Sequence, residues 1–328
     1  MKTDQPAPNG LVSAYLLDGQ GGGKKITWKE IATWTPESGT LWLHLEGNSP
    51  YAEQWLRQES GLEEITCNIL TREEVRPRSI PSGAGLLTVL RGINLNEGDE
   101  PEDMVSIRTY IDAHRIITTR LRFVRSIDDL RHALDAGRGP ATPGDFLASL
   151  GMRLVERMAD YIANVTDEVG ELEEMVVDPH RGVTSERLAD VRRQIIALRR
   201  HLSPQRDALV RIIETPLTFL EEEDRKRLHE VSDQTIHFLE ELASARDQAT
   251  VTQEELNGQM SKQVERRMYV LALVAAIFLP LTFFTGLLGT NVGGIPGSHS
   301  PWGFISVTAV LAGVLSLQIV LFRRMRWL

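Results

Sequence analysis

The pattern of apolar and polar positions divides the chain into three regions. Up to about Arg125, short segments of alternating or β-branched apolar residues are separated by polar ones. From Phe146 onward the apolar positions recur every three or four residues, which predicts long helices. The last sixty residues contain two uncharged apolar runs, Tyr269–Gly289 and Gly303–Phe322.

The first region, residues 1–137, predicts an α/β domain with one mixed sheet. Its strand-like segments are "LVSAYLLD", "TLWLHLEG", "GLLTVLRGINL" and "VSIRTYIDAHRIITTR", and its short helices are "YAEQWLRQESG", "EEITCNILTREEV" and "SIDDLRHALDAG". In the last of these helices, Ser126 is the predicted N-cap and Gly137 follows the C-cap. His44 and Glu46, in "WLHLEG", could suggest a site, but a solvent-facing strand edge is the favoured interpretation. The only cysteine, Cys67, predicts a buried thiol rather than a disulfide.

Residues 146–221 predict a helical hairpin. Its helices run from Phe146 to Val177 and from Ser185 to Glu214, and a proline follows each of them. A stalk helix then occupies residues 222–267 and continues into the first apolar run, because no proline occurs between Glu222 and Pro280. Such a helix would be about 100 Å long and would need neighbouring chains to bury its apolar face. The alternative is a break near Gly258.

Each apolar run is long enough to cross the roughly 30 Å hydrocarbon core of a bilayer. We therefore predict transmembrane helices over residues 268–289 and 302–322, joined by an outer loop at 290–301. A buried hairpin of a soluble protein is the alternative. Basic residues lie before the first run and in the tail 323–328, whereas the loop has no Lys or Arg, so both termini are expected in the cytoplasm.

The charge distribution supports this division. Residues 261–328 carry six basic side chains and one acidic one, a net charge of +5. Since the overall net charge is −9, the first 260 residues carry −14. An acidic cytoplasmic region argues against a nucleic-acid partner and would attract cations. No nucleophile motif, metal-hydrolase spacing or phosphate loop predicts an enzyme, and no cofactor is expected.

One face of the first span collects small and weakly polar residues. Steps of three and four residues from Glu265 give Met268, Ala272, Ala275, Leu279, Thr282, Gly286 and Gly289. Such a stripe is typical of closely packed membrane helices and equally of a pore lining. No Asp or Glu follows Glu265. A cation crossing here would need oxygen dipoles or would keep its water shell.

The end of the chain resembles the CorA superfamily of two-span metal-ion transporters. The resemblance rests on "PLTFFTGLLGTN" before a short loop, a second span and a basic tail ending "RRMRWL". Gly289, Thr290 and Asn291 stand where that superfamily has Gly-Met-Asn, and "NVGGIPG" is similar to its bacterial zinc-transporter branch, called ZntB. The strong resemblance covers residues 222–328.

The resemblance implies a funnel-shaped homopentamer in the bacterial inner membrane, whose partners are its own copies and membrane lipid. Asn291 would contact a hydrated cation at the outer mouth. Combined with the stripe, it gives a predicted pore lining of Glu265, Met268, Leu271, Ala275, Leu279, Thr282 and Gly286. It implies Zn²⁺ as the main ion, with Co²⁺, Ni²⁺, Cd²⁺ and Mg²⁺ as further candidates, and it leaves proton coupling and transport direction open. Two alternatives are a Mg²⁺/Co²⁺ channel of the same superfamily and a non-conducting coiled-coil scaffold or sensor.

A second candidate metal site lies on the stalk. His229, Asp233 and His237 are spaced four residues apart, so neighbouring pairs share one helix face. His and Asp pairs at this spacing suit Zn²⁺ when a further ligand comes from elsewhere. The alternative interpretation is an ordinary solvated helix face.

Overall fold

The computed structural model describes residues 9–177, 185–290 and 300–325. The chain divides into two compact units, Met1–Gln253 and Glu254–Leu328. The first unit contains a seven-stranded sheet whose strands are Leu11–Leu17 (β1), Gly23–Lys25 (β2), Leu41–Glu46 (β3), Arg78–Ser82 (β4), Gly85–Gly92 (β5), Val105–Ile111 (β6) and Arg115–Arg120 (β7). Their order in the sheet is β2-β1-β3-β7-β6-β5-β4.

The sheet is mixed, as the sequence predicts. Strand β3 pairs with β7 in parallel, and the other neighbours pair antiparallel. The last predicted strand segment is in fact a hairpin, β6 and β7. Asp112 forms its turn, because its Oδ1 atom accepts hydrogen bonds from the backbone N–H groups of His114 and Arg115. Strands β2 and β4 have no counterpart in the prediction.

The interpretation of His44 and Glu46 as a solvent-facing strand edge is wrong. Strand β3 lies inside the sheet, and His44 is 1% exposed. The Thr118 hydroxyl donates to the Leu43 carbonyl, so His44 Nδ1 donates to Thr118 Oγ1 at 2.9 Å. Burial and the nearby Arg120 hold the pKa of His44 well below its usual value. Glu46 is ion-paired with Arg120 at 2.7 Å and is equally structural.

Four short helices accompany the sheet: Trp28–Ile31 (α1), Pro50–Gln58 (α2), Glu64–Thr71 (α3) and Arg125–Asp135 (α4). The predicted N-cap of α4 is wrong, because Val124 occupies that position and Ser126 lies inside the helix. The Ser126 hydroxyl instead donates to the Arg153 carbonyl. Gly137 follows the C-cap with φ of +68°, as predicted. Cys67 in α3 is a buried free thiol, also as predicted.

Three long helices follow: Pro143–Val177 (α5), Ser185–Glu214 (α6) and Glu222–Leu288 (α7). Helix α6 contacts β4 and β5, and α5 contacts α4, α6 and β5. The prediction of one uninterrupted helix from Glu222 into the first apolar run is confirmed, since α7 comprises 67 residues with Gly258 and Pro280 inside it. The last helix described, α8, spans Gly303–Arg324.

The first part of α7 is buried by its own chain, contrary to our expectation that only neighbouring chains could cover it. Most of its buried positions recur every three or four residues, namely Leu228, Val231, Thr235, Phe238, Leu242, Ala245, Ala249 and Thr252. The Arg199 guanidinium of α6 donates to the Leu239 carbonyl at 3.2 Å. Arg227 pairs with Asp145 of α5 at 2.6 Å. Copies of the chain are therefore not needed to bury this part.

Candidate transport pathway

Helix α7 from residue 254 and helix α8 form the second unit, and both are long and apolar enough to cross a membrane. Neither apolar window is buried within the chain, unlike the core helix of a soluble protein. The buried-hairpin alternative is therefore not supported. An uncharged helix surface of this length is typical of hydrocarbon contact.

Helices α7 and α8 pack through one face each. Within the apolar run of α7 the half-buried residues recur at helical spacing and are Leu273, Ala276, Ile277, Pro280, Leu281, Phe284 and Leu288. The corresponding positions of α8 are Gly303, Val307, Leu311, Val314, Leu315, Gln318 and Ile319, and Phe322 is buried. A hydrogen bond from Gln318 Nε2 to the Ala276 carbonyl, 3.2 Å long, joins the two faces.

All seven predicted pore-lining residues lie off this packed face. Glu265, Met268, Leu271, Ala275, Leu279, Thr282 and Gly286 are exposed in the single chain. Larger apolar side chains, among them Val270, Val274, Phe283 and Leu287, are exposed as well. Helix α8 thus leaves uncovered both a face of small and weakly polar residues and a face of bulky ones. A helix within a membrane bundle has this distribution when one face meets protein and another meets lipid.

The C-terminal end of α7 is held by one backbone and one side-chain hydrogen bond. The Gly289 N–H donates to the Thr285 carbonyl at 2.8 Å, and the Thr290 hydroxyl donates to the Leu287 carbonyl at 2.9 Å. The first is the usual backbone bond to the carbonyl four residues earlier, and the second supplies a side-chain donor to one of the carbonyls at the helix end, which lack donors within the helix backbone. Asn291, the third residue of the predicted entry motif, lies outside the described residues.

The second candidate metal site predicted from the sequence, named here the metal ladder, lies on a solvated face of α7. His229, Asp233 and His237 are all exposed, while the residues between them on the opposite side are buried. The described part of the chain contains no group of three or more His, Cys, Asp or Glu side chains arranged to hold a metal ion. As the structure stands, the three side chains share a face without forming a ligand set, and the ladder stays a prediction.

The sequence reading missed Gln318 and its relationship to Pro280. Proline has no backbone N–H, so Pro280 cannot donate to the carbonyl of Ala276 four residues earlier. Gln318 donates to this same carbonyl from the neighbouring helix. The available signal was a single amide within an uncharged apolar run, since polar side chains in membrane spans usually bond to other helices.

The chain matches known proteins over nearly its whole length. A family model described as the CorA-like Mg²⁺ transporter protein matches residues 37–324. The chain belongs to this family. The resemblance drawn from the end of the sequence is thereby confirmed, and it extends upstream of residue 222.

The chain is similar over nearly its whole length to two CorA-family relatives and to one solved structure. It is 40% identical over 323 residues to the divalent cation transporter CmaX of Pseudomonas aeruginosa, covering 97% of each chain. It is 35% identical to the zinc transport protein ZntB of Pectobacterium carotovorum, covering 98% of this chain and 97% of that one. The structure of full-length CmaX matches with a TM-score of 0.86 at 38% identity, covering 98% of this chain and 100% of the other. These relatives are transporters and not enzymes.

Proposed function

We propose that the chain transports divalent metal cations, with Zn²⁺ foremost, across the bacterial inner membrane. The observation that carries this proposal is the match to a CorA-like transporter over residues 37–324, joined by relatives whose names specify zinc and divalent cations. The match includes both apolar helices, so it covers the part through which an ion would pass.

In this proposal five copies surround an axial pore, and both termini lie in the cytoplasm. The seven predicted pore-lining residues of α7, from Glu265 to Gly286, face the axis, because α8 covers a different face. Asn291 forms a ring of amide oxygens at the outer mouth, and Glu265 forms a ring of carboxylates at the inner mouth. Between the rings, Met268 and Leu271 make an apolar constriction that can close by excluding water. The residue divisions at 137, 221, 267, 289, 301 and 322 belong to the same proposal.

The stripe supports passage of a hydrated ion. It contains no carboxylate beyond Glu265, so it cannot replace the full water shell of a bare divalent cation. Thr282 and the outer amide ring can instead donate and accept hydrogen bonds with the ion's water molecules. Co²⁺, Ni²⁺ and Cd²⁺ would pass by the same route.

The test is ion uptake into proteoliposomes that contain the purified full-length chain and an indicator inside. We expect Zn²⁺ uptake above that of protein-free vesicles, and native mass spectrometry should give five copies per assembly. Repeating the assay with Mg²⁺ and Co²⁺ tests the second candidate, a Mg²⁺/Co²⁺ channel, which the description of the matching family favours. An imposed pH gradient tests proton coupling. A pentamer that conducts none of these ions would instead be a scaffold.

A further inference from the structure

We infer that Gln318 is a positioning residue for transport, because it fixes how the two halves of the predicted pore lining of α7, before and after Pro280, are aligned. The inference rests on the proposed function only in its claim that transport depends on Gln318. Its structural part concerns the hydrogen bond between Gln318 and Ala276, which joins α8 to α7 at the point where α7 lacks one of its own backbone bonds.

The first step is the missing bond. In an α-helix each backbone N–H donates to the carbonyl four residues earlier. Pro280 has no N–H, so the Ala276 carbonyl has no helical donor at that position. Both residues are half-buried on the face that packs on α8. In hydrocarbon, where water is absent, a carbonyl without a donor is strongly unfavourable.

The second step is the replacement donor. Gln318 lies within α8, and its Nε2 atom is 3.2 Å from the Ala276 oxygen. The Gln318 Oε1 atom is buried and accepts no hydrogen bond within the described residues. The amide is therefore bonded only through its donor side, toward the proline-freed carbonyl. A polar side chain with no role between helices can bond to its own helix, as the hydroxyl of Ser316 does with the Ala312 carbonyl.

The third step is the consequence for the stripe. Helices bend at proline, and the direction of the bend is set by how the freed backbone groups are satisfied. Thr282 and Gly286 follow Pro280, whereas Ala275 and Leu279 precede it. A bond that fixes α7 at residue 276 therefore fixes how the two halves of the predicted pore lining align. Without this bond the Ala276 carbonyl must find another donor, and the backbone around Pro280 must rearrange.

The test combines Gln318→Leu with Pro280→Ala. Alanine restores the N–H at position 280, so the Ala276 carbonyl regains its helical donor and Gln318 becomes dispensable. In the parent background we expect Gln318→Leu to lower maximal Zn²⁺ flux per assembled protein about 3- to 15-fold, with the half-saturating ion concentration unchanged. In the Pro280→Ala background the same change should alter flux less than about twofold. Ser316→Ala is the matched control and should behave like the parent protein.

Equal losses in both backgrounds, or no loss in either, would overturn the inference. So would a lower yield of assembled protein with unchanged flux per assembly, because Gln318 would then serve assembly alone. Amide hydrogen exchange over residues 277–284 of the full-length protein provides a readout that does not depend on transport. Gln318→Leu should speed this exchange only when residue 280 is proline. A parent protein without flux would disprove the proposed function, and the exchange result would still decide whether Gln318 fixes α7.

Discussion

His237 Nε2 lies 3.1 Å from Glu241 Oε1, one turn further along α7. This contact extends the candidate metal ladder from three side chains to four, since Glu241 continues the spacing of His229, Asp233 and His237. It also gives His237 a partner already present without metal. A zinc ion binding here would have to take Glu241 as a ligand or displace it.

The ladder hypothesis predicts a zinc site on the part of α7 that belongs to the first unit. Replacing both His229 and His237 with alanine should remove one bound zinc equivalent in calorimetric titration of the full-length protein, because both nitrogen ligands of the ladder are lost. The matched control replaces His114 and His132, which are also exposed. If both double variants give the parent isotherm, the ladder is an ordinary solvated helix face.

Asn291→Ala should reduce ion flux about tenfold or more while the pentamer still assembles. The reason is that the amide would hydrogen-bond water molecules polarised by a divalent cation, and such charge-assisted bonds are among the stronger ones. Proteoliposome uptake and native mass spectrometry measure the two quantities. Ser298→Ala, in the same loop, is the control and should leave both unchanged. Flux near the parent value from an intact Asn291→Ala pentamer would remove Asn291 from the pathway.

Glu265→Gln should lower flux most at low ionic strength. Five carboxylates around the inner mouth would concentrate cations by Coulomb attraction, and salt screens that attraction. The measurement is flux at about 20 mM and about 300 mM monovalent salt, at which the Debye length differs several-fold. Glu255→Gln removes the same charge ten residues earlier on an exposed part of α7 and should have little effect. If the flux of Glu265→Gln equals that of the parent at both salt concentrations, Glu265 is only an ion-pair partner of a neighbouring arginine.

Acidification should destabilise the first unit through His201. Burial and the nearby Arg91 and Arg200 lower the pKa of His201 to about 4. The unfolded chain takes up this proton near pH 6.5, whereas the folded protein does so only near pH 4. The unfolded state therefore binds more protons between these values, and the free energy of unfolding falls as the pH falls from 6.5 towards 4. The contribution of one such group is at most about 1.4 kcal/mol per pH unit.

Urea unfolding of the full-length protein between pH 7.5 and 4.5 checks this expectation. His201→Gln should show a smaller loss of stability over that interval than the parent, because the titrating group is gone. His132→Gln, at an exposed position of α4, is the control and should follow the parent. An identical pH dependence in all three proteins would show that His201 does not contribute to acid sensitivity.

Periodicity and hydropathy were sufficient for the long helices. The spacing from Phe146 onward and the two uncharged runs predicted α5, α6, α7 and α8 closely, because breakers lie near their ends and few occur inside. Pro280 lies inside α7 and did not mislead the prediction, since the apolar run continued past it. The mixed sheet was predicted as a class, but its strand order depends on long-range pairing that no local pattern encodes.

The misreadings have specific physical causes. His44 looked like an edge residue because it is polar, whereas its partner Thr118 comes from β7, seventy-four residues away in sequence. The self-burial of α7 up to Thr252 depends on contacts with α5 and α6 that periodicity cannot assign. The bond between Gln318 and Ala276 needs the relative rotation of two helices, which composition does not give. The predicted pore residues could be placed on one exposed face, and Asn291 stays a prediction.

The uncovered stripe of α7 has a thermodynamic consequence. Its apolar side chains, such as Met268 and Leu279, are more than half exposed in one chain. In the proposed pentamer this surface leaves contact with lipid and lines the pore only when copies associate, so mass action links the stability of the second unit to the number of chains per membrane area. Its melting temperature should then rise with the ratio of protein to lipid. Dilution into excess lipid or detergent should lower the stability of this protein, as added denaturant lowers the stability of a monomer.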